Sequence, residues 1–159
     1  MIFKEYNYNS VNSTNNVAIK KIKQGINSGI ILTKEQKLGR GRYGRKWISL
    51  KGNLFTTLFF KINNNINLKK LTKFNCKLIK KTIENIIKKK VKIKPPNDLL
   101  INNKKVCGIL QEVIIQENKK FIIIGVGINI VASPKITHYK TTYLNEKLKI
   151  KITYLDMYK

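Results

Sequence analysis

Acidic side chains are scarce in this sequence. Eight aspartates and glutamates stand against 33 lysines and arginines in 159 residues, a formal net charge of +25. Such a field attracts any polyanion and makes association salt-dependent. It does not assign a nucleic-acid function, because lysine, asparagine and isoleucine fill permissive positions throughout, as AT-rich coding would. His138 is the only histidine and has no partner set, which argues against zinc chemistry. The two cysteines, Cys76 and Cys107, lie far apart in apolar patterns without metal-ligand spacing. They read as buried free thiols of a reducing compartment, so a cytoplasmic location is expected. No apolar run approaches the roughly 18 residues of a membrane span. The chain enters Phe3-Lys4-Glu5-Tyr6 without the apolar segment of a signal peptide. There is no visible repeat, and hydrophobic residues make up 42%. One domain with a real core is therefore expected over residues 1–159.

The most informative stretch runs from Gln36 to Trp47 and reads QKLGRGRYGRKW. Gly39, Gly41 and Gly44 make it a poor helix but let backbone N–H groups approach an anion closely. Arg40, Arg42 and Arg45 add rigid forks for carboxylate or phosphate. Trp47, the only tryptophan, offers a flat face for a heterocycle. The spacing Gly39-x-Gly41-x-x-Gly44 satisfies the dinucleotide-binding expression. Its required context is missing, because the preceding strand ends near Thr33 and no helical apolar stripe follows. A P-loop is excluded, since no Gly-Lys-Ser/Thr follows a glycine run.

Periodicity predicts an edge strand over Ile2–Tyr8 and a helix from about Thr14 to Gln24, with Val17, Ala18 and Ile22 inward and Gly25 ending it. Strands follow at Ser28–Thr33 and Leu54–Phe60, the second apolar enough to be central. The longest amphipathic helix spans Leu68–Ile87, with Leu68, Leu71, Phe74, Leu78, Ile79, Ile83, Ile86 and Ile87 as its apolar side. Val91–Ile93 is a short strand stopped by Pro95-Pro96. A hairpin is expected from Leu99–Ile101 and Lys105–Ile115 around Asn102-Asn103. A last strand is expected over Phe121–Ile130, interrupted by Gly125 and Gly127. The tail, with Leu144, Leu148, Ile150 and Leu155, suits one or two short helices. This order predicts an α+β fold, a mixed and largely antiparallel sheet with helices packed on one face.

Three polar stretches interrupt or border the apolar ones: Ser13-Thr14-Asn15, the Gln36–Trp47 loop, and a third set. The third comprises Lys94-Pro95-Pro96-Asn97-Asp98, Lys105 with Gly108-Ile109-Leu110, and Gly125-Val126-Gly127-Ile128-Asn129. Taken singly, each has an ordinary structural reading: a helix cap for the serine and threonine, an Asx turn for Asn97-Asp98, a solvated lysine, a strand-end cap for Asn129. The glycines before Asn129 leave room for something against the sheet.

Together, in order and spacing, these blocks resemble the biotin–protein ligases, which attach biotin to a carboxylase carrier domain. The resemblance covers about residues 2–132, and Thr141-Thr142-Tyr143-Leu144 is similar to a helix start beyond it. It implies the biotin/lipoate ligase fold, related to the catalytic fold of class II aminoacyl-tRNA synthetases. It implies ATP, biotin and Mg2+ as ligands, and a biotin carboxyl carrier domain of acetyl-CoA carboxylase or a related carboxylase as partner. Carried over by position, Ser13, Thr14, Asn15 and Gln36 resemble the groups around biotin's polar ring. Gly39, Arg40, Arg42 and Arg45 resemble the loop that approaches the adenylate phosphate, and Trp47 the residue that packs on adenine. Lys105 resembles the lysine on the reacting carboxylate and phosphate, beside Gly108. Asn97 and Asp98 resemble groups near the phosphate, Asp98 facing the metal, and Asn129 a nucleotide contact. Lys105, Arg42 and Arg40 are thus the expected catalytic groups, since joining two anions calls for fixed positive charge at the transition state.

Two departures accompany the resemblance. Pro95 stands where the family has tryptophan, and the chain stops at Lys159, before the further helices and small barrel that the family usually carries. A DNA-binding domain at the N-terminus is likewise not expected, nor is specific DNA binding, a membrane, or more than a monomer or weak dimer. The rival readings are a lipoate–protein ligase, an inactive biotin-binding remnant, and a basic nucleic-acid-binding module. The last would interleave surface aromatics with its lysines, whereas here the aromatics mostly sit in strand patterns.

Overall fold

A computed structural model describes residues 3–146 and 148–158. Ile2, the expected start of the first strand, lies outside the described residues. Among the described residues seven strands and three α-helices follow in chain order: β1 (Glu5–Tyr8), α1 (Thr14–Lys23), β2 (Ser28–Thr33), β3 (Leu54–Ile62), α2 (Leu68–Ile87), β4 (Lys92–Lys94), β5 (Asp98–Ile101), β6 (Lys104–Gln116), β7 (Lys119–Ile128) and α3 (Tyr154–Tyr158). The strands are hydrogen-bonded in the order β1-β2-β3-β7-β6-β5-β4. β1 runs parallel to β2, while β2 with β3, β4 with β5 and β5 with β6 are antiparallel. This is the expected α+β class with a mixed, largely antiparallel sheet. The last strand runs through Gly125 and Gly127 without interruption.

The chain forms two compact units, and β6 and β7 contribute residues to both. The first comprises Met1–Ser49, Phe55–Ile66 and Leu110–Val126. Its core is Ala18, Ile22, Ile31, Phe59, Phe121 and Ile123, with Tyr6, Val17, Ile26 and Ile114 packed against it. Ala18 and Ile22 are four residues apart and so share one face of α1. Gly25, at φ +83°, turns the chain out of that helix, a conformation that costs glycine little. Gly29 is needed for packing, since a Cβ there would lie 2.9 Å from the Phe59 ring.

The second unit comprises Leu50–Leu54, Asn67–Ile109 and Gly127–Lys159. Asn67 caps α2 by accepting the Lys70 N–H at 3.0 Å. At the other end the chain leaves through Lys88 at φ +52°. Glu84 secures this exit: its carboxylate accepts the Val91 N–H at 2.7 Å and pairs with Lys80 at 2.8 Å. The lysine's hydrogen bond, then the backbone one, hold the Glu84 carboxyl below its usual pKa. The inner face of α2 differs from the expected one. Phe74 and Leu78 are exposed, whereas Asn75 and Cys76 are buried with Ile83 and Ile87. The apolar arc read from the sequence is wider than the face this unit covers, and Asn75-Cys76 occupies the centre of that face. The β5–β6 turn places Asn102 and Asn103 at φ +48° and +59°, the left-handed pair of a two-residue hairpin. In the tail Leu144 is buried in a single 3-10 turn. Leu155 lies in the short α3, so two short helical segments form in the tail as expected, while Ile150 and Leu155 are exposed and Leu144 is the core anchor.

Candidate functional site

The first unit holds a polar cluster at the start of α1. Backbone bonds from Val11 N–H to Glu35 O (3.1 Å) and from Lys37 N–H to Val11 O (2.9 Å) bring the stretch after β2 alongside the approach to the helix. This pairing puts the Gln36 side chain on the helix N-terminus. Its Oε1 accepts both the Thr14 N–H at 2.9 Å and the Thr14 hydroxyl at 3.0 Å. Its Nε2 donates to Ser49 Oγ at 3.1 Å. Gln36 therefore does the capping that the sequence suggested for the serine. Ser13 occupies the N-cap position in an extended conformation, and its side chain makes no cap bond. Ser13, Thr14 and Asn15 are all buried, and the freed Ser13 hydroxyl sits at the positive end of α1.

Asn15 is saturated by the protein. Its amide donates to Leu110 O at 3.3 Å and to Glu112 Oε2 at 2.7 Å. Its Oδ1 accepts the Thr57 hydroxyl at 2.7 Å. Gly125 makes this possible, because a Cβ there would lie 2.3 Å from Asn15 Oδ1. At Gly125, the room that the glycines were expected to leave on the sheet is filled by Asn15.

The glycine–arginine loop is a short hairpin in its own right. Trp47 N–H donates to Gly39 O at 2.9 Å and Gly41 N–H to Arg45 O at 2.7 Å. Arg40 bridges Lys46 in antiparallel fashion. A Cβ on Gly39 would meet Trp47 O at 2.4 Å, so close backbone approach fixes that glycine. Gly44, at φ +71°, closes the tip behind Tyr43, which is itself left-handed at φ +56°. The three arginines do not converge. Arg40 pairs with Glu112 at 2.7 Å. Arg42 lies 4.8 Å from the Tyr43 ring centroid and donates to its hydroxyl at 2.8 Å. Arg45 is exposed. Trp47 is partly covered, between exposed Lys46 and Ile48. The Arg40 Nε–H is buried and has no partner, a state that costs about 1–3 kcal/mol when nothing fills it.

The second unit holds a charged cluster where β5 and β6 pair. Asp98 is in register with Gly108. Lys105 Nζ pairs with Asp98 Oδ1 at 2.8 Å and lies 5.3 Å from the Tyr139 ring centroid. The strap 139–142 holds the lysine's backbone: Lys105 N–H donates to Lys140 O, and Thr142 N–H donates to Lys105 O, both at 2.9 Å. Lys105 is thus not a solvated lysine; its side chain is 15% exposed. Asn97 is turned onto β6, donating to Ile109 O at 2.6 Å. Asn129 is 2% exposed. Its Nδ2 donates to Thr142 O at 3.2 Å, and its Oδ1 is buried without a partner. Cys76 donates to Pro96 O at 3.6 Å. Burial, and secondarily the charge of Asp98, raises its pKa. Burial pushes Cys107 up further, so neither thiol is a nucleophile.

Among the described residues no group of three or more His, Cys, Asp or Glu side chains could hold a metal ion. Asp98 is a single carboxylate, which suits a magnesium ion carried mainly by nucleotide phosphates. Sequence reasoning missed Glu112, Thr57, Ser49 and Tyr139. Only Glu112 left a signal: Gln111-Glu112 is a polar pair inside an apolar strand of a chain with eight acidic residues.

Comparison with known proteins adds to this geometry. The family described as "Biotin/lipoate A/B protein ligase family" matches residues 8–129. The chain is 36% identical over 110 residues to the bifunctional ligase/repressor BirA of Bacillus subtilis, covering 66% of this chain and 33% of that protein. It is 31% identical over 126 residues to the biotin–[acetyl-CoA-carboxylase] ligase of Paracoccus denitrificans, covering 77% of this chain and 52% of that protein. The chain thus spans about a third to a half of these relatives. Among solved structures, the biotin protein ligase of Aquifex aeolicus in complex with biotin and ATP superposes with a TM-score of 0.78 at 26% identity, covering 99% of this chain and 66% of that one.

Proposed function

The chain belongs to the biotin/lipoate A/B protein ligase family, and we propose that it activates biotin with ATP and transfers it to a carrier-domain lysine. In the first step a biotin carboxylate oxygen attacks the α-phosphorus of ATP. Pyrophosphate leaves and biotinyl-5′-AMP forms. In the second, the amine of the acceptor lysine attacks the activated carboxyl carbon, loses its proton, and releases AMP. No enzyme nucleophile is needed, in keeping with the two raised thiol pKa values.

The observation that carries biotin as the substrate is the 31% identity, over 77% of this chain, to a relative named as a biotin–[acetyl-CoA-carboxylase] ligase. The side chains fit that reading. Ser13, Thr14 and Gln36 form a polar rim at a helix N-terminus, suited to a ureido ring. The unpartnered Arg40 Nε–H suits a carboxylate or phosphate oxygen. Arg42 and Arg45, on the exposed side of the hairpin, would reach ligand only by movement of the loop, and Trp47 would border the adenine. In the second unit Lys105 would offset the charge that builds on the pentacoordinate phosphorus. The orphan Asn129 Oδ1 would accept from the nucleotide. Asp98 would hold the magnesium ion, which would supply charge screening for the pyrophosphate. Asn97 and Asn15 hold backbone and side-chain partners in place. Residues 1–159 are in this reading a catalytic region, with a carboxylase carrier domain as partner.

Titration calorimetry with biotin and with lipoate, each beside a non-hydrolysable ATP analogue, tests the assignment. Biotin is expected to bind and lipoate to bind more weakly. Equal affinities would assign the chain to the lipoate side of the family.

A further inference from the structure

We propose that Glu112 is a positioning residue for Arg40, holding its guanidinium so that the Nε–H faces the bound anion. The ligand named in this proposal rests on the function argued above; the positioning itself does not. Glu112 Oε2 accepts two hydrogen bonds of 2.7 Å, one from Arg40 Nη2 and one from Asn15 Nδ2. Asn15 is in turn fixed by Thr57 and by the Leu110 carbonyl, so the carboxylate is anchored to the sheet from one side. Arg40 lies at the root of the glycine hairpin, where the Gly41–Arg45 and Gly39–Trp47 bonds hold the main chain.

A guanidinium is planar, so fixing Nη2 limits the ring of directions open to Nε. In this structure the Nε–H is buried and unpartnered while Nη2 is taken. A side-on carboxylate normally uses both edges of that fork. Glu112 satisfies one edge and leaves the other for a ligand. It also supplies the negative charge that lets an arginine with a 37% exposed side chain keep its inner atoms dry. A purely structural ion pair would have no reason to leave the inner donor open.

All three arginines of the chain lie in this hairpin, so its arginine Nε–H signals can be resolved by nitrogen-15 NMR. One of the three is expected to persist at neutral pH as a slowly exchanging signal, assigned to Arg40 by its loss in Arg40→Lys. Glu112→Ala is expected to abolish that protection, and Glu112→Gln, which keeps an acceptor oxygen, to retain most of it. If the parent shows no protected Nε–H, or Glu112→Ala leaves it unchanged, the positioning role is wrong. Biotin affinity then supplies a cycle. Glu112→Ala alone should weaken binding by about 10- to 100-fold, the scale of losing one charge-assisted hydrogen bond to the ligand. In the Arg40→Ala background it should cost clearly less than in the parent, the remainder coming from the lost Asn15 bond. Full additivity would overturn the proposal. A parent that binds no biotin would refute the proposed substrate, and the NMR result would still decide the role of Glu112.

Discussion

Lys105 and Asp98, seven residues apart in sequence on neighbouring strands, meet as an ion pair of 2.8 Å. One is the expected cation of the reaction and the other the expected metal-side carboxylate. Each holds the other. Replacing Lys105 with alanine should therefore have two effects. Adenylate formation should slow by about 10²- to 10³-fold, the scale for removing one charge-stabilising donor. Stability should fall by roughly 1–3 kcal/mol, because Asp98 loses a close partner. Single-turnover pyrophosphate release and urea unfolding of the same preparation measure the two.

Gly125 and Asn15 give a prediction about packing. Gly125→Ala forces a Cβ to within 2.3 Å of Asn15 Oδ1. That contact cannot be relieved without disturbing the bonds from Asn15 to Thr57, Leu110 and Glu112. A loss of roughly 1–3 kcal/mol is expected, with weaker biotin binding alongside it. Chemical denaturation showing no change would mean that the Asn15 network is easily displaced.

Much of the fold was legible because period and punctuation agreed with it. Ser28–Thr33 and Leu68–Ile87 have the bounds read from their patterns, and Gly25 and Asn102-Asn103 turn the chain where those residues are cheapest. What was not legible is the choice among apolar positions, because a pattern does not say how wide a face will be covered. Phe74 and Leu78 fit the helical period as well as Ile83 does, yet they are exposed. The candidate residues were legible as types at spacings, but their bonding was not. Gln36 reaches the α1 N-terminus only through the Val11 pairing. Glu112, 72 residues from Arg40, becomes its partner only once the sheet forms.

Glu84 gives stability a pH dependence. Its carboxyl titrates below the ordinary value of about 4.3, held there by Lys80 and the Val91 N–H. A depressed pKa contributes stability above the unfolded value and loses it as pH falls through the folded one. Glu84→Ala should cost roughly 1–3 kcal/mol at neutral pH, through the unsatisfied Val91 N–H. The gap between the two proteins should narrow as pH falls below the ordinary carboxylate value and the parent carboxylate is protonated. Urea unfolding at several pH values would show it, and a constant gap would contradict it.

Cys76 and Cys107 should be inert in the native protein. Both are buried, and burial raises both thiols. A chromogenic disulfide reagent should titrate almost no thiol without denaturant and two per chain in guanidinium. Rapid native reaction of either would show that its strand or helix opens readily.

The central claim is the chemistry, and pyrophosphate release tests it most directly. The chain is incubated with ATP and magnesium, and with biotin, lipoate or neither added in parallel. The account predicts release that requires biotin, is much weaker with lipoate, and is reduced by Lys105→Ala. Release that ignores biotin, or that lipoate drives equally well, would contradict it.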